Sequence, residues 1–178
     1  PEAFGIKLGN DADSGKGVIT TGFYHYLTEG GAVDGDMDYI TPLAPGVSSY
    51  GLTYLPYVVT ITDDTNPITQ GIASITDQGT YWEASSEFDP SAVIVAAAPA
   101  TEISTSGDGR TDYSVEGAVA YEVLGSGARL VYLGGAYLAA NPSGGYHPEQ
   151  LRDGGADQLL EQAANWAAHS GPGSAGYV

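Results

Sequence analysis

A histidine and a glutamate two residues apart form the pair best suited to acid–base chemistry in this sequence. His147 is followed by Pro148 and Glu149. An imidazole titrates near neutral pH, and a nearby carboxylate can orient it, so the pair suits a general base that activates a nucleophile. The same residues also suit the start of a helix, where proline and acidic side chains are favoured. His147 and Glu149 are therefore candidate catalytic residues, with a structural role as the alternative.

A second candidate site is the densest acidic cluster of the chain, formed by Asp34, Asp36 and Asp38. Calcium takes about six to eight oxygen ligands, and carboxylates at alternate positions of a turn can point toward one ion. The cluster departs from the usual calcium loop, because no glycine stands at its sixth position and Pro45 replaces the expected glutamate at the twelfth. The three aspartates thus predict either a calcium site or a solvated acidic loop.

The charge balance limits the kinds of partner. The chain has 5 Lys and Arg residues against 22 Asp and Glu residues, which gives a net charge of −17. Nucleic-acid binding is not expected, because phosphate contacts need clustered cations. No apolar run approaches the length of a membrane span, so membrane insertion is not expected either. A base-poor surface rich in Gly, Tyr and Thr indicates an extracellular or cell-surface protein, with the cytoplasm of a halophile as the alternative.

The chain length and the cysteine content set further bounds. A chain of 178 residues is long enough for one domain, which we place at residues 1–170, with 171–178 as a flexible tail. The chain has no cysteine, which excludes disulfides and a thiol nucleophile. Three tyrosines in a Pro-rich stretch, Tyr50, Tyr54 and Tyr57, either form a binding platform for a carbohydrate or a protein partner, or cover a core edge.

The elements that must position these residues are predicted from apolar patterns. Two apolar runs flank Gly125, Ser126 and Gly127, which predicts a hairpin over residues 119–134. From Leu151 onward apolar residues recur every three or four positions, which predicts a long final helix.

Three further segments complete the pattern. Residues 58–62 (VVTIT) form a strand, and residues 91–98 (SAVIVAAA) are apolar without alternation, as in a buried parallel strand. For residues 18–27 the spacing of apolar residues favours a helix that ends at Gly30, against the β-branched composition. We therefore predict a three-layer α/β fold with a mainly parallel sheet, or alternatively a β-rich sandwich or jelly roll with one terminal helix.

An ordered series of short segments resembles a known family. The series comprises Asn66–Ile72 (NPITQGI), Tyr81–Glu83 (YWE), the strand at 92–95, the hairpin segments AVAYEV and GARLVYLGG, and the helix end at 159–168. In this order they resemble the C-terminal half of class I glutamine amidotransferase-like domains, including the trehalose-utilisation type. The resemblance covers about residues 58–168. It implies that His147 and Glu149 correspond to the base and the orienting carboxylate of the family.

The departures from the family pattern decide the expected function. Family enzymes carry a nucleophilic cysteine, which this chain lacks, and the first 57 residues are few for the βα units that begin such a domain. We therefore expect a non-catalytic amidotransferase-like binding or scaffold module. The two alternatives are a structural subunit of a surface layer, filament or particle, and a hydrolase that uses His147 and Glu149. Protein partners or self-assembly fit the first two.

Overall fold

A computed structural model of the protein describes residues 15–22, 40–43, 50–52, 57–77, 80–84, 88–98, 116–139 and 155–168. These ranges contain nine strands and one long helix, α1. In chain order they are β1 (Val18–Thr21), β2 (Tyr50–Leu52), β3 (Tyr57–Ile61), β4 (Ser74–Asp77), β5 (Thr80–Ala84), β6 (Val93–Ala98), β7 (Glu116–Val123), β8 (Arg129–Leu133), β9 (Gly135–Ala139) and α1 (Gly155–Ala168). This helix is neither long nor apolar enough to cross a membrane.

The strands form two sheets. The larger sheet has the order β1-β8-β7-β6-β3-β4, and the smaller has the order β2-β5-β9. Among the described strands, only β1 and β8 pair in parallel, with Val18 opposite Leu130, and every other pair is antiparallel. The described residues therefore form a mixed, mostly antiparallel structure.

The prediction of a three-layer fold with a mainly parallel sheet is wrong, and the β-rich alternative with a terminal helix fits. The misleading signal was the apolar run of β6, which has antiparallel neighbours on both sides. Its central position in the sheet accounts for the burial of Val95, Ala96 and Ala97, whichever way the neighbouring strands run. A parallel sheet would also need a long crossover between successive strands, whereas the successive strands β7 and β8 are joined by a tight turn.

Residues 18–21 are also a strand and not part of a helix. All four residues of β1 are β-branched, and Val18 and Thr20 are buried. Val18 and Thr20 point to one face of the sheet and Ile19 and Thr21 to the other, as the register with β8 requires. The β-branched composition was the better guide, because such side chains lose rotamer freedom in a helix.

The predicted hairpin and final helix are present. In the hairpin turn, Leu124 N–H donates to the Ala128 carbonyl over 2.9 Å, and Gly127 N–H donates to the Leu124 carbonyl over 2.8 Å. Gly127 has a φ of 85°, a left-handed conformation that favours glycine after a tight turn. Leu151, from which the helical period was counted, lies outside the described residues.

The main core lies between α1 and one face of the larger sheet. Leu159, Ala163 and Ala167 lie four residues apart on one side of the helix and are buried. They pack against apolar residues of five strands and of the β3–β4 connection, among them Val59, Ile68, Ile75, Val95, Val119, Val131 and Leu133. A second, smaller cluster contains Val18, Ile40, Ala128 and Leu130. It includes residues on the sheet face away from α1, because Val18 and Leu130 are register partners on that face.

A glycine next to β1 permits the close approach of the helix. A Cβ atom built at Gly17 would overlap the Ala167 carbonyl oxygen and lie 2.6 Å from the carbonyl carbon. Both obstructing atoms belong to the helix backbone, which cannot rotate away as a side chain can. The C-terminal end of α1 therefore rests on bare backbone at Gly17.

We expect Gly17→Ala to lower the free energy of unfolding by about 1–3 kcal/mol, because the helix end must shift to make room for the methyl group. Urea denaturation would measure the change. Gly125→Ala is the matched control, since a Cβ at Gly125 has no atom within 4 Å, and its effect should stay within about 0.5 kcal/mol. Equal effects of the two substitutions would contradict the proposed close contact.

Candidate functional site

The candidate catalytic and metal-binding residues predicted from the sequence lie outside the described part of the structure. This holds for the base and carboxylate candidates, His147 and Glu149, and for the three aspartates, Asp34, Asp36 and Asp38. The tail at 171–178 also lies outside it. Within the described ranges, no three His, Cys, Asp or Glu residues are grouped closely enough to hold a metal ion. The catalytic and calcium hypotheses therefore remain predictions.

The first segment of the family resemblance, Asn66–Ile72, forms the turn between β3 and β4. Asn66 is buried, and its side-chain oxygen accepts a hydrogen bond of 2.9 Å from the Ile68 N–H. Backbone bonds from Thr69 and Gln70 to the Asn66 carbonyl close the turn, and Gly71 leaves it with a φ of 77°. This arrangement turns Ile68 and Ile72 into the main core.

The same turn is tied to the final helix by two glutamines. Nε2 of Gln162 donates to the Gln70 carbonyl over 2.9 Å, and Nε2 of Gln158 lies 3.4 Å from the same oxygen. Oε1 of Gln162 is buried without a hydrogen-bond partner. The segment thus has a clear packing role, and its Gln70 carbonyl faces the helix.

The helix end and strand β8, two other segments of the resemblance, meet at an aromatic cluster. Nη1 of Arg129 donates to the Trp166 carbonyl over 2.8 Å, and the Arg129 guanidinium carbon lies 4.8 Å from the Trp166 ring centroid. Tyr121 meets the same ring edge-on, with centroids 4.9 Å apart. Arg129 therefore satisfies a carbonyl of the last helical turn, which has no basic residue of its own.

An oxygen cluster that the sequence did not predict lies at the start of β6. Oγ of Ser91 lies 2.5 Å from Oδ1 of Asp89 and 2.7 Å from Oε1 of the buried Glu122. Asp89 also accepts the Ser91 N–H over 2.9 Å. The sequence Asp-Pro-Ser is typical of a turn. No local pattern predicts the contact of Ser91 with Glu122, because the two residues are 31 positions apart in sequence.

This oxygen cluster is better suited to structure than to nucleophilic chemistry. A serine nucleophile needs a base that can take its proton. The hydrogen bonds from the Ser91 hydroxyl and N–H lower the pKa of Asp89, which makes this carboxylate a weaker base. Ser91 also sits in a turn that precedes a strand, without the strand-to-helix elbow of a hydrolase nucleophile. The cluster fastens the turn before β6 to β7.

The fold is similar to that of a solved bacterial protein. The chain is similar to the crystal structure of a protein from Bacteroides uniformis that is described as thua-like, with a TM-score of 0.65 and 13% sequence identity. The similarity covers 95% of this chain and 65% of that one.

This structural similarity concerns the fold of the chain. It agrees in coarse terms with the family resemblance, at an identity too low to transfer an activity, and the chain spans about two thirds of the length of that protein. No protein-family model matches the sequence. No curated protein matches it either.

We expect Arg129→Met to lower the free energy of unfolding by about 1–2 kcal/mol, because both the bond to the Trp166 carbonyl and the contact with its ring are lost. Thermal or urea unfolding would measure this. Arg129→Lys keeps the charge without the planar stacking group and should recover only part of the loss. Full recovery by lysine would show that charge alone matters at the helix end.

We expect the Asp89 carboxylate to make a contribution to the free energy of unfolding that depends on pH. Because the folded-state pKa of Asp89 is lowered, its contribution is present above the unfolded-state pKa and is lost as the pH falls through the folded-state pKa, below about pH 5. Asp89→Asn keeps the acceptor oxygen and should flatten this acid-side loss. Urea unfolding between pH 3 and pH 7 measures it, with Asp64→Asn as the charge-matched control. Identical pH profiles for the two variants would contradict the prediction.

Proposed function

We propose that this chain is a non-catalytic, amidotransferase-like binding or scaffold module. The observation that carries the proposal is the use of the resemblance segments in packing. The Asn66–Ile72 turn is tied to α1 through the Gln70 carbonyl, and Arg129 of β8 is tied to α1 through Trp166. These two segments of the resemblance therefore have a structural role, which is to hold the helix on the sheet.

The chemistry of the chain supports the same proposal. No cysteine is present in the 178 residues, so the thiol nucleophile of the amidotransferases has no counterpart. Ser91 bonds to two carboxylates, those of Asp89 and Glu122, and these bonds serve to anchor the turn before β6. The fold likeness to a thua-like protein is compatible with the module but says nothing about its ligand.

The setting of the module is proposed from composition. A net charge of −17 with few cations keeps the protein dispersed by self-repulsion in dilute surroundings, and salt screens the same repulsion within the folded chain, so the composition suits an exterior setting. We therefore place the module at the cell surface or outside the cell. A carbohydrate or a protein would be its binding partner.

The proposal predicts that removal of the candidate base abolishes no activity. Wild type and His147→Ala would be assayed for hydrolysis of p-nitrophenyl esters and of glutamine, and both should match the buffer rate. Release of product by wild type that disappears in His147→Ala would overturn the proposal in favour of the hydrolase alternative.

Two further variants sharpen that assay. His169→Ala removes a histidine from a different part of the sequence and controls for a general effect of losing an imidazole. Glu149→Gln keeps the shape of the orienting residue and removes its charge. If an activity exists and depends on the pair, Glu149→Gln should reduce it while His169→Ala leaves it unchanged.

A further inference from the structure

Apolar side chains are exposed beside the C-terminal end of α1. Val93 is 42% exposed and Val123 is 53% exposed. The strand register places Val93 opposite Tyr121 and Val123 opposite Arg129, and both Tyr121 and Arg129 contact Trp166. The five residues therefore form one contiguous surface on the helix-facing side of the sheet. We call Val93, Tyr121, Val123, Arg129 and Trp166 the strand-end patch.

The composition of the strand-end patch is typical of a binding surface. Tryptophan, tyrosine and arginine are the residues that most often dominate binding energy at protein interfaces. Here Trp166 is fixed by Tyr121 at its edge and by Arg129 over its ring. A surface that is already ordered loses little conformational entropy when a partner binds.

The strand-end patch carries one charged residue, Arg129. The described residues include two cations, Lys16 and Arg129. Both lie near the end of α1, since Arg129 bonds to Trp166 and Lys16 precedes Gly17, which rests on Ala167. The described acids number nine: Asp63, Asp64, Asp77, Glu83, Asp89, Glu116, Glu122, Asp157 and Glu161. Three of these acids, Asp63, Asp89 and Glu122, lie at the same end of the sheet as the patch, so within the patch itself Arg129 is the group that a partner's carboxylate would meet.

The size of the patch limits its occupant. A standard protein–protein interface uses about 20–30 residues on each side, and the strand-end patch has five. A guanidinium has five N–H donors, so the Nη1 bond to Trp166 is compatible with a second acceptor on Arg129. A run of acids would be repelled by the net charge of −17, whereas a single carboxylate between apolar residues matches the local chemistry.

We propose that the strand-end patch binds a short apolar peptide segment of a partner protein that carries a single carboxylate. Its apolar side chains cover Val93 and Val123, and its carboxylate pairs with Arg129. This deepens the proposed binding module by naming a class of partner. It rests on that proposal only in requiring a partner, so peptide binding and hydrolytic activity can fail independently.

Three immobilised libraries of acetylated nonapeptides would test the proposal. The libraries share one set of apolar residues and differ in the central residue, which is Asp, Asn or Lys. Full-length wild-type protein should bind the Asp library most tightly, roughly tenfold above Asn, because a hydrogen bond to a charged group is stronger than one to a neutral group. Tightest binding to Lys would mean that the net charge governs binding and would overturn the proposal. So would equal binding to Asp and Asn, or no binding.

Variants of the protein assign the binding to the patch. Arg129→Met should remove the preference for Asp over Asn, and Val123→Ser should weaken binding to both libraries by roughly tenfold. Ile94→Ser is the matched control, because Ile94 is 43% exposed on the same strand as Val93 but pairs with Ala120 on the opposite face. Equal losses in Val123→Ser and Ile94→Ser would overturn the assignment.

Sedimentation velocity of the wild type tests the competing occupant. A monomer at the concentrations of the binding assay is expected. A dimer that Val123→Ser dissociates would show that a second copy covers this surface, and would overturn the proposal of a peptide partner.

Discussion

The position of the final helix depends on a backbone contact that only glycine permits. At Gly17 the chain entering β1 lies directly against the carbonyl group of Ala167, with no room for a side chain. A contact between backbones is short and stiff, so it fixes the depth of the helix on the sheet more firmly than contacts between flexible side chains do. Leu159, Ala163 and Ala167 can fill the main core only at that depth.

Two polar attachments complete the placement of the helix at different points along its length. Gln162 reaches the Gln70 carbonyl of the β3–β4 turn, and Arg129 reaches the Trp166 carbonyl near the helix end. Both acceptors are backbone carbonyls, which would otherwise need water as a partner. Three of the segments that resemble the amidotransferase-like family, the Asn66–Ile72 turn, strand β8 and the helix end, are therefore linked physically, although each is short and separated from the others in sequence.

The sequence predicted the hairpin, the β3 strand and the final helix, because each depends on local pattern alone. Strand direction could not be predicted from β6, since an apolar run records burial and not the direction of its neighbours. For β1 the spacing and the composition disagreed, and the β-branched residues were the correct signal. The Ser91–Glu122 contact could not be predicted, because it depends on the pairing of β6 with β7.

The packing of the helix and the proposed binding surface meet at the entrances of two strands, β1 and β8. These strands pair in parallel, so the chain segments that lead into them, carrying Lys16 and Arg129, enter the sheet from the same side. The C-terminal end of α1, where the helix dipole is negative, is held there by Gly17 and Arg129. Arg129, which satisfies a carbonyl of this helix end, also supplies the positive charge of the proposed binding surface. A requirement of folding thus creates the local chemistry that a carboxylate-bearing partner would recognise.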